Sequence, residues 1–298
     1  QEIVNGLVGK ALGTILVFGF AVYHIAFASL QCRIFGEIMQ EYLLLYTPIE
    51  VVIIVMLLTA TYAVRSGVKT VVRLSQVIVP AMVLFSAMVT VTLFPGSDYT
   101  NLMPVLHTPP LKLLQSLPLI LFSFLGAEII LVLSPFITYV QKLPKKAFWA
   151  VGVVTFIYLS IVITTTARFG LVETMHNIWP GLEVLKTVDV PDIFIENIEV
   201  YALAGCVYQV FLTLSANLLA ASLMLKYLFR AKEQKTFVIP ILPIIYFAAL
   251  VPENLVELFE YMVLLSKGLG TLYFVIVPVA LWGLSLLKKQ KGSGKSAS

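Results

Sequence analysis

Residues 113–142 read LLQSLPLILFSFLGAEIILVLSPFITYVQK, and this stretch decides the fold. It holds one carboxylate, Glu128, and three residues that interrupt helices: Pro118, Gly126 and Pro135. A straight helix over its apolar residues would be ~40 Å long, against ~30 Å for the hydrocarbon core of a bilayer. The stretch therefore predicts a discontinuous membrane helix, unwound at residues 124–128, with free backbone groups at mid-membrane depth.

The composition of the whole chain agrees with a membrane protein. Of 298 residues, 59% are hydrophobic and only 12% are charged, and the mean hydropathy is +0.97. A soluble domain carries about 25% charged residues, so this chain has too few of them to cover a water-soluble surface. We predict an all-α polytopic membrane protein.

Apolar stretches long enough to cross a bilayer occur eight times in the sequence. We predict spans at residues 12–32, 49–64, 71–93, 113–140, 147–168, 199–225, 237–252 and 261–287. Together they form one predicted transmembrane domain over residues 1–287. The remaining residues, 288–298, are basic and rich in Gly and Ser, which is typical of a disordered cytoplasmic tail.

The positions of the charges predict the orientation. When the loops are assigned to alternate sides, fifteen of the twenty Lys and Arg residues fall on the side that holds both termini. By the positive-inside rule, both termini of this chain are cytoplasmic. The net charge of +4 is therefore a sign of membrane topology, and nucleic acid is not an expected partner.

Two segments on the outer side are predicted to hold structure of their own. The spacing of apolar residues in 33–46 predicts a short helix in the membrane interface. Residues 174–200 contain Trp179-Pro180 and a helical pattern near 182–188, which predicts a helical cap over a cavity. The alternative for this second segment is a long mobile loop.

Signatures of catalysis and of metal binding are missing from the sequence. The chain has three histidines without metal-ligand spacing, and no nucleophile, phosphate-loop or dinucleotide motif. His24 lies within the first span, where a core or cavity-lining role is the better interpretation than a metal ligand. Whether Cys32 and Cys206 pair cannot be deduced from sequence. We expect no enzyme activity, no metal and no cofactor.

Glu128 has two interpretations. An ionised carboxylate at mid-bilayer depth is costly, so the side chain is expected to face protein, whatever its role. It is either protonated and hydrogen-bonded to a neighbouring helix, or it contacts a ligand or couples to protons. Further polar residues are candidates for the same cavity: Tyr23 and His24 on span one, and Tyr208, Gln209, Thr213, Ser215 and Asn217 on span six.

Several short passages resemble the B subunits of spore germinant receptors, the GerAB-type spore permeases of the amino acid–polyamine–organocation superfamily. They follow the family's order along nearly the whole chain. They are Thr47-Pro48, Arg65 to Leu74, Asn101–Val105 (NLMPV), Ser123–Phe136 (SFLGAEIILVLSPF), Trp179–Glu183 (WPGLE) and Pro191–Glu199 (PDIFIENIE).

The resemblance implies ten spans in a LeuT-type inverted-repeat fold, of which this chain would hold eight and lack about two at its start. It also implies that Ser123, Phe124, Gly126, Ala127 and Glu128 form the unwound, ligand-facing part of the sixth family helix. Tyr23, on the third family helix, is a weaker candidate for the wall of that site.

The function implied by the resemblance is that of a sensor in the spore inner membrane. A nutrient germinant, an amino acid in many members, would bind within the membrane, and a complex with A and C subunits would relay the signal. The alternatives are a proton- or sodium-coupled amino-acid transporter and, with no supporting motif, a membrane-embedded enzyme.

Overall fold

A computed structural model describes residues 9–104, 108–137, 139–187 and 198–293. All regular elements in these ranges are helices. The α-helices are α1 (Lys10–Tyr42), α2 (Ile49–Arg65), α3 (Val68–Leu93), α4 (Pro110–Leu121), α5 (Ile129–Leu133), α6 (Leu143–His176), α7 (Pro180–Lys186), α8 (Ile198–Leu228), α9 (Lys235–Ala249), α10 (Leu255–Leu265) and α11 (Val277–Ser293).

Five helices in the described residues are long and apolar enough to cross a membrane. A sixth span results if the bent pair Pro110–Leu117 and Phe122–Phe136, which turns by 45°, is one crossing. Two predicted spans are short as helices. α2 has 17 residues, and α9 has 15 residues and contains Pro240 and Pro243. The chain is thus a polytopic helical membrane protein, and the number of eight spans stays a prediction.

The interface helix predicted for residues 33–46 is wrong, because α1 continues without a break to Tyr42. Hydropathy placed Arg33 in a loop, yet this side chain is only 8% exposed. Its guanidinium lies 2.8 Å from Glu37 Oε1, one helical turn away, and donates to the Glu253 carbonyl at 3.4 Å. Because these contacts satisfy the charge within the protein, the helix continues past it. Arg33 and Glu37 thus form an ion pair on the long apolar helix α1.

The chain groups into two compact units. The first comprises Gln1–Val71, Leu111–Pro135 and Val210–Ser298. In it α1 packs on α2, α9 and α10. Close approach of α1 and α2 depends on Gly36, where a Cβ would lie 2.5 Å from Ile49 Cγ1. One core cluster of this unit consists of Tyr23, Phe27, Leu30, Leu125, Leu258, Leu265 and Tyr273.

The second unit comprises Val72–Pro110 and Phe136–Gln209. Its helix α6 packs on α7 and on the turn Tyr99–Leu102, and Gly170, with φ of 77°, interrupts α6. Asp98 caps that turn. Bonds from the Thr100 hydroxyl and backbone N–H hold the pKa of Asp98 below its ordinary value.

The predicted outer cap and the predicted tail are each described in part. α7 covers Pro180–Lys186, so a helix does follow Trp179-Pro180. The rest of the cap, residues 188–197, lies outside the described residues. At the other end, α11 continues to Ser293, so the helix extends into the predicted tail, and residues 294–298 lie outside the described residues.

Candidate functional site

The predicted break in residues 124–128 is confirmed. α4 ends at Leu121, a single tight turn follows over Phe122–Phe124, and α5 begins at Ile129. Between them Leu125 is extended, with φ of −60° and ψ of 140°, and Gly126 has φ of +104°. Only glycine adopts this left-handed conformation without steric cost, which explains why the helix breaks at this residue.

The Glu128 side chain folds back onto the break. The Gly126 N–H donates to both carboxylate oxygens, at 2.8 Å to Oε2 and 3.0 Å to Oε1. From α1, the Tyr23 hydroxyl donates to Oε1 at 2.6 Å. Glu128 is only 4% exposed and Tyr23 is fully buried. The carboxylate therefore joins the broken helix to α1 by hydrogen bonds that all point toward its oxygens.

No cation neutralises this carboxylate within the part of the chain that the structure describes. The two ion pairs found there are Arg33–Glu37 and Lys186–Glu183. A buried carboxylate without a charged partner either carries a proton or attracts a cation from outside the protein. Glu128 therefore has no positive partner among the described residues, and a proton or a small cationic group would supply one.

His24, the residue after Tyr23, is a second buried polar side chain with a hydrogen-bonding atom left unsatisfied among the described residues. His24 is fully buried, and its Nδ1 lies 2.6 Å from Asn217 Oδ1 on α8. Because Asn217 Nδ2 donates to the Thr213 carbonyl, Oδ1 is the acceptor and we assign the proton to Nδ1. Nε2 then carries a lone pair, and this atom has no hydrogen-bond partner among the described residues.

Aromatic rings surround these two residues. Phe20 stacks on Tyr273 at 4.8 Å between ring centroids and lies 4.7 Å from the His24 ring. Tyr23 stacks on Phe27 at 6.2 Å, and Phe27 meets Phe122 edge to face at 5.8 Å. These rings form a largely apolar environment around the polar atoms of Tyr23 and His24.

The predicted site residues divide into two groups. Tyr23, Gly126 and Glu128 come together through direct hydrogen bonds. Ser123 and Ala127 are exposed, and Phe124 is half-buried. Leu125, which the sequence did not single out, is buried in the core.

Sequence reasoning missed the aromatic surround, although part of it had a signal. Phe20, Tyr23, His24 and Phe27 recur at helical spacing and so share one face of α1. Tyr273 had no such signal, because it lies about 250 residues away in the chain and meets this face only in the folded protein. Of the other predicted cavity residues, Tyr208 is half exposed and Ser215 is buried.

Long apolar helices and a carboxylate buried at a helix break define a polytopic membrane protein of permease-like character. The model of a family described as spore germination protein matches residues 1–257. The chain belongs to this spore germination protein family, which confirms the resemblance noted in the sequence. No solved structure gives a significant match to the chain.

Curated relatives from Bacillus subtilis (strain 168) agree with the family assignment. The chain is 28% identical to spore germination protein YndE over 257 residues, which are 85% of this chain and 69% of the relative. It is 26% identical to spore germination protein B2 over 295 residues, 98% of this chain and 80% of the relative. Spore germination protein A2 is 26% identical over 292 residues, 95% of this chain and 76% of the relative.

Proposed function

We propose that this chain is a membrane subunit of a spore germinant receptor. It binds a small nutrient germinant, an amino acid, within the membrane at the break between α4 and α5. Binding signals the start of germination, and no chemical reaction is catalysed. The family membership supports the link to germination, and the site supports the class of ligand.

The observation that carries this proposal is the buried Glu128 carboxylate without a cation among the described residues. An amino acid brings an ammonium group, which donates hydrogen bonds and supplies the missing positive charge. The adjacent aromatic rings favour a cation through their electron-rich faces. The His24 Nε2 lone pair is a further acceptor for a donor group on the ligand.

The family and the charge pattern support a setting for the subunit. It assembles with the A and C subunits of the receptor in the spore inner membrane, with both termini of this chain cytoplasmic. The LeuT-type fold that the resemblance implies places a broken helix beside the ligand, and a break of this kind lies at Gly126.

Germination of spores that carry Glu128→Gln in the full-length protein tests the proposal. The amide keeps the shape of the side chain but removes its charge. A hydrogen bond to a charged group contributes about 1.5–3 kcal/mol, so we expect the germinant concentration for half-maximal response to rise by ~10- to 100-fold.

Glu50→Gln is the matched control, because Glu50 is exposed at the start of α2 and its loss should leave the dose response unchanged. The amount of each variant in the membrane is measured by immunoblot. An unchanged dose response of Glu128→Gln spores with normal protein levels would contradict the proposal. Uptake of labelled amino acid into liposomes that scales with an ion gradient would show a transporter instead of a receptor.

A further inference from the structure

A cavity lies within the second compact unit. It measures about 250 Å³ and is bounded by α3, α6, α7 and the amino-terminal part of α8. Its walls are mainly apolar, with Phe85, Val89, Leu182 and Leu185 among them. Two glycines also line it: an added Cβ would lie 3.6 Å from Ile161 Cγ2 at Gly181 and 3.5 Å from Met82 Sδ at Gly205, so the walls pack closely at these points.

The short helix α7 is held in place over this cavity by Arg168. The Arg168 guanidinium donates to the Thr187 carbonyl at 2.6 Å and to the Thr187 hydroxyl at 3.1 Å, just past the end of α7. It also donates to the Pro95 carbonyl at 3.1 Å, beyond the end of α3. These three bonds fix two walls of the cavity relative to each other, so the space is a built feature of this unit.

The polar groups on the walls define the chemistry of an occupant. None of the described residues that line the cavity carries a charge. The Thr90 hydroxyl donates to the Ser86 carbonyl at 2.9 Å, and the Thr164 hydroxyl donates to the Ser160 carbonyl at 2.7 Å. Because these protons are used within the helices, the hydroxyl oxygens are left as acceptors for a donor on an occupant.

We propose that this cavity binds a small, neutral, mainly apolar molecule with one hydroxyl group, of the class of short alkanols. A dry cavity of about 150 Å³ holds a benzene ring, so this one takes roughly ten non-hydrogen atoms. A zwitterionic amino acid does not fit, because its two charges would be buried without partners. The site therefore goes beyond the proposed germinant site and serves a different ligand class.

Cys206 lines the cavity and reports on its occupancy. The full-length protein in liposomes is treated with methyl methanethiosulfonate, a small neutral thiol reagent, and modification of Cys206 is followed by mass spectrometry of its peptide. Cys32, which is fully buried, serves as an internal reference. We expect 1-hexanol to slow modification of Cys206 by ~10-fold at ten times its dissociation constant, while the rate at Cys32 stays unchanged. Hexylammonium, of the same length but charged, should give no protection.

Two substitutions on α8 form a matched pair. Ala202→Leu places a larger side chain into the cavity wall, where Ala202 is only 7% exposed, and should abolish the effect of hexanol. Val200→Leu adds bulk at a residue that is 48% exposed on the same helix, and should keep the effect. If Ala202→Leu does not accumulate in the membrane, Ala202→Val replaces it with a smaller change in volume.

Several outcomes would overturn the proposal. Equal slowing at Cys32 and Cys206 would show that hexanol acts through the bilayer, and equal protection in Ala202→Leu would place its action elsewhere. A rate that follows the acyl-chain length of the lipid but not hexanol would show a lipid tail in the cavity. Protection should persist in Glu128→Gln, which separates this site from the proposed germinant site.

Discussion

At the scale of single residues, the molecule depends on how Glu128 is satisfied. Three hydrogen bonds reach its carboxylate, from the Tyr23 hydroxyl and from the Gly126 N–H to both oxygens. These three bonds stabilise the ionised form of the carboxyl group, yet no cation among the described residues balances its charge. Glu128 is therefore fixed in position by its donors, and this is the basis of the proposed role in ligand binding.

Removal of the Tyr23 hydroxyl should destabilise the protein through Glu128. Tyr23→Phe keeps the ring and its stacking on Phe27 but deletes a donor to a buried carboxylate, so we expect a loss of about 1–3 kcal/mol in the free energy of unfolding. Thermal unfolding in detergent measures this loss. Tyr62→Phe, at a ring that is 80% exposed, is the control and should have little effect.

A double-mutant cycle tests whether Glu128 is the partner of the Tyr23 hydroxyl. In the Glu128→Gln background the same Tyr23→Phe change should be less costly, because the charged acceptor is already gone. If the two changes add fully, the hydroxyl does not act on Glu128, and the contact between α1 and the break has no energetic role.

At the scale of elements, the break between α4 and α5 is a conformational feature rather than a packing defect. An added Cβ at Gly126 would lie 3.7 Å from Phe27 Cε1, which is an ordinary contact. The φ of +104°, by contrast, is a value that side-chain-bearing residues rarely adopt. The backbone geometry of the break, more than the space around it, requires glycine.

Gly126→Ala should therefore be destabilising by ~1–2 kcal/mol in spite of the available space. Gly152→Ala is the matched control, since Gly152 lies inside α6 with nothing within 4 Å of an added Cβ, and alanine there should be neutral or stabilising. Unfolding midpoints of the two variants give the comparison. Equal stability of both would mean that the helix is not broken at Gly126.

The site was predictable from the sequence where the signals are local. Gly126 and Glu128 stand out inside an apolar stretch, so the position of the break followed from length and from helix-interrupting residues. The extension of α1 was missed because hydropathy ended the span at Arg33, although its 2.8 Å partner Glu37 is only one helical turn away. The contact of Arg33 with Glu253, 220 residues away in the chain, had no local signal. For the same reason Tyr273 was missed. Ser123 and Ala127 entered the predicted site through the family resemblance, and both side chains are exposed.

At the scale of the whole molecule, the charge pattern and the helices predict on which side of the membrane each loop lies. The loop between α2 and α3 is predicted to be cytoplasmic, and the segment after α3 is predicted to lie outside. Ser66 is exposed in the first and Met103 is 73% exposed in the second. Native Cys32 is buried and Cys206 is half-buried, so their reaction with a charged reagent should be slow.

Labelling of introduced cysteines with a membrane-impermeant maleimide checks this topology in intact cells. Met103→Cys should react at once, and Ser66→Cys should react only after the membrane is permeabilised. The opposite pattern would invert the orientation. Reaction of both from outside would mean that α3, the long helix between the two positions, does not cross the membrane.

The central claim is that Glu128 binds the ammonium group of an amino acid inside the membrane. Equilibrium binding of radiolabelled amino acids to the purified full-length protein, with and without Glu128→Gln, tests it most directly. We expect at least one amino acid to bind the unchanged protein, and the Gln variant to bind it ~10- to 100-fold more weakly. The deaminated analogue of that amino acid should bind both proteins equally weakly. Equal affinity of the two proteins for the amino acid would contradict the claim.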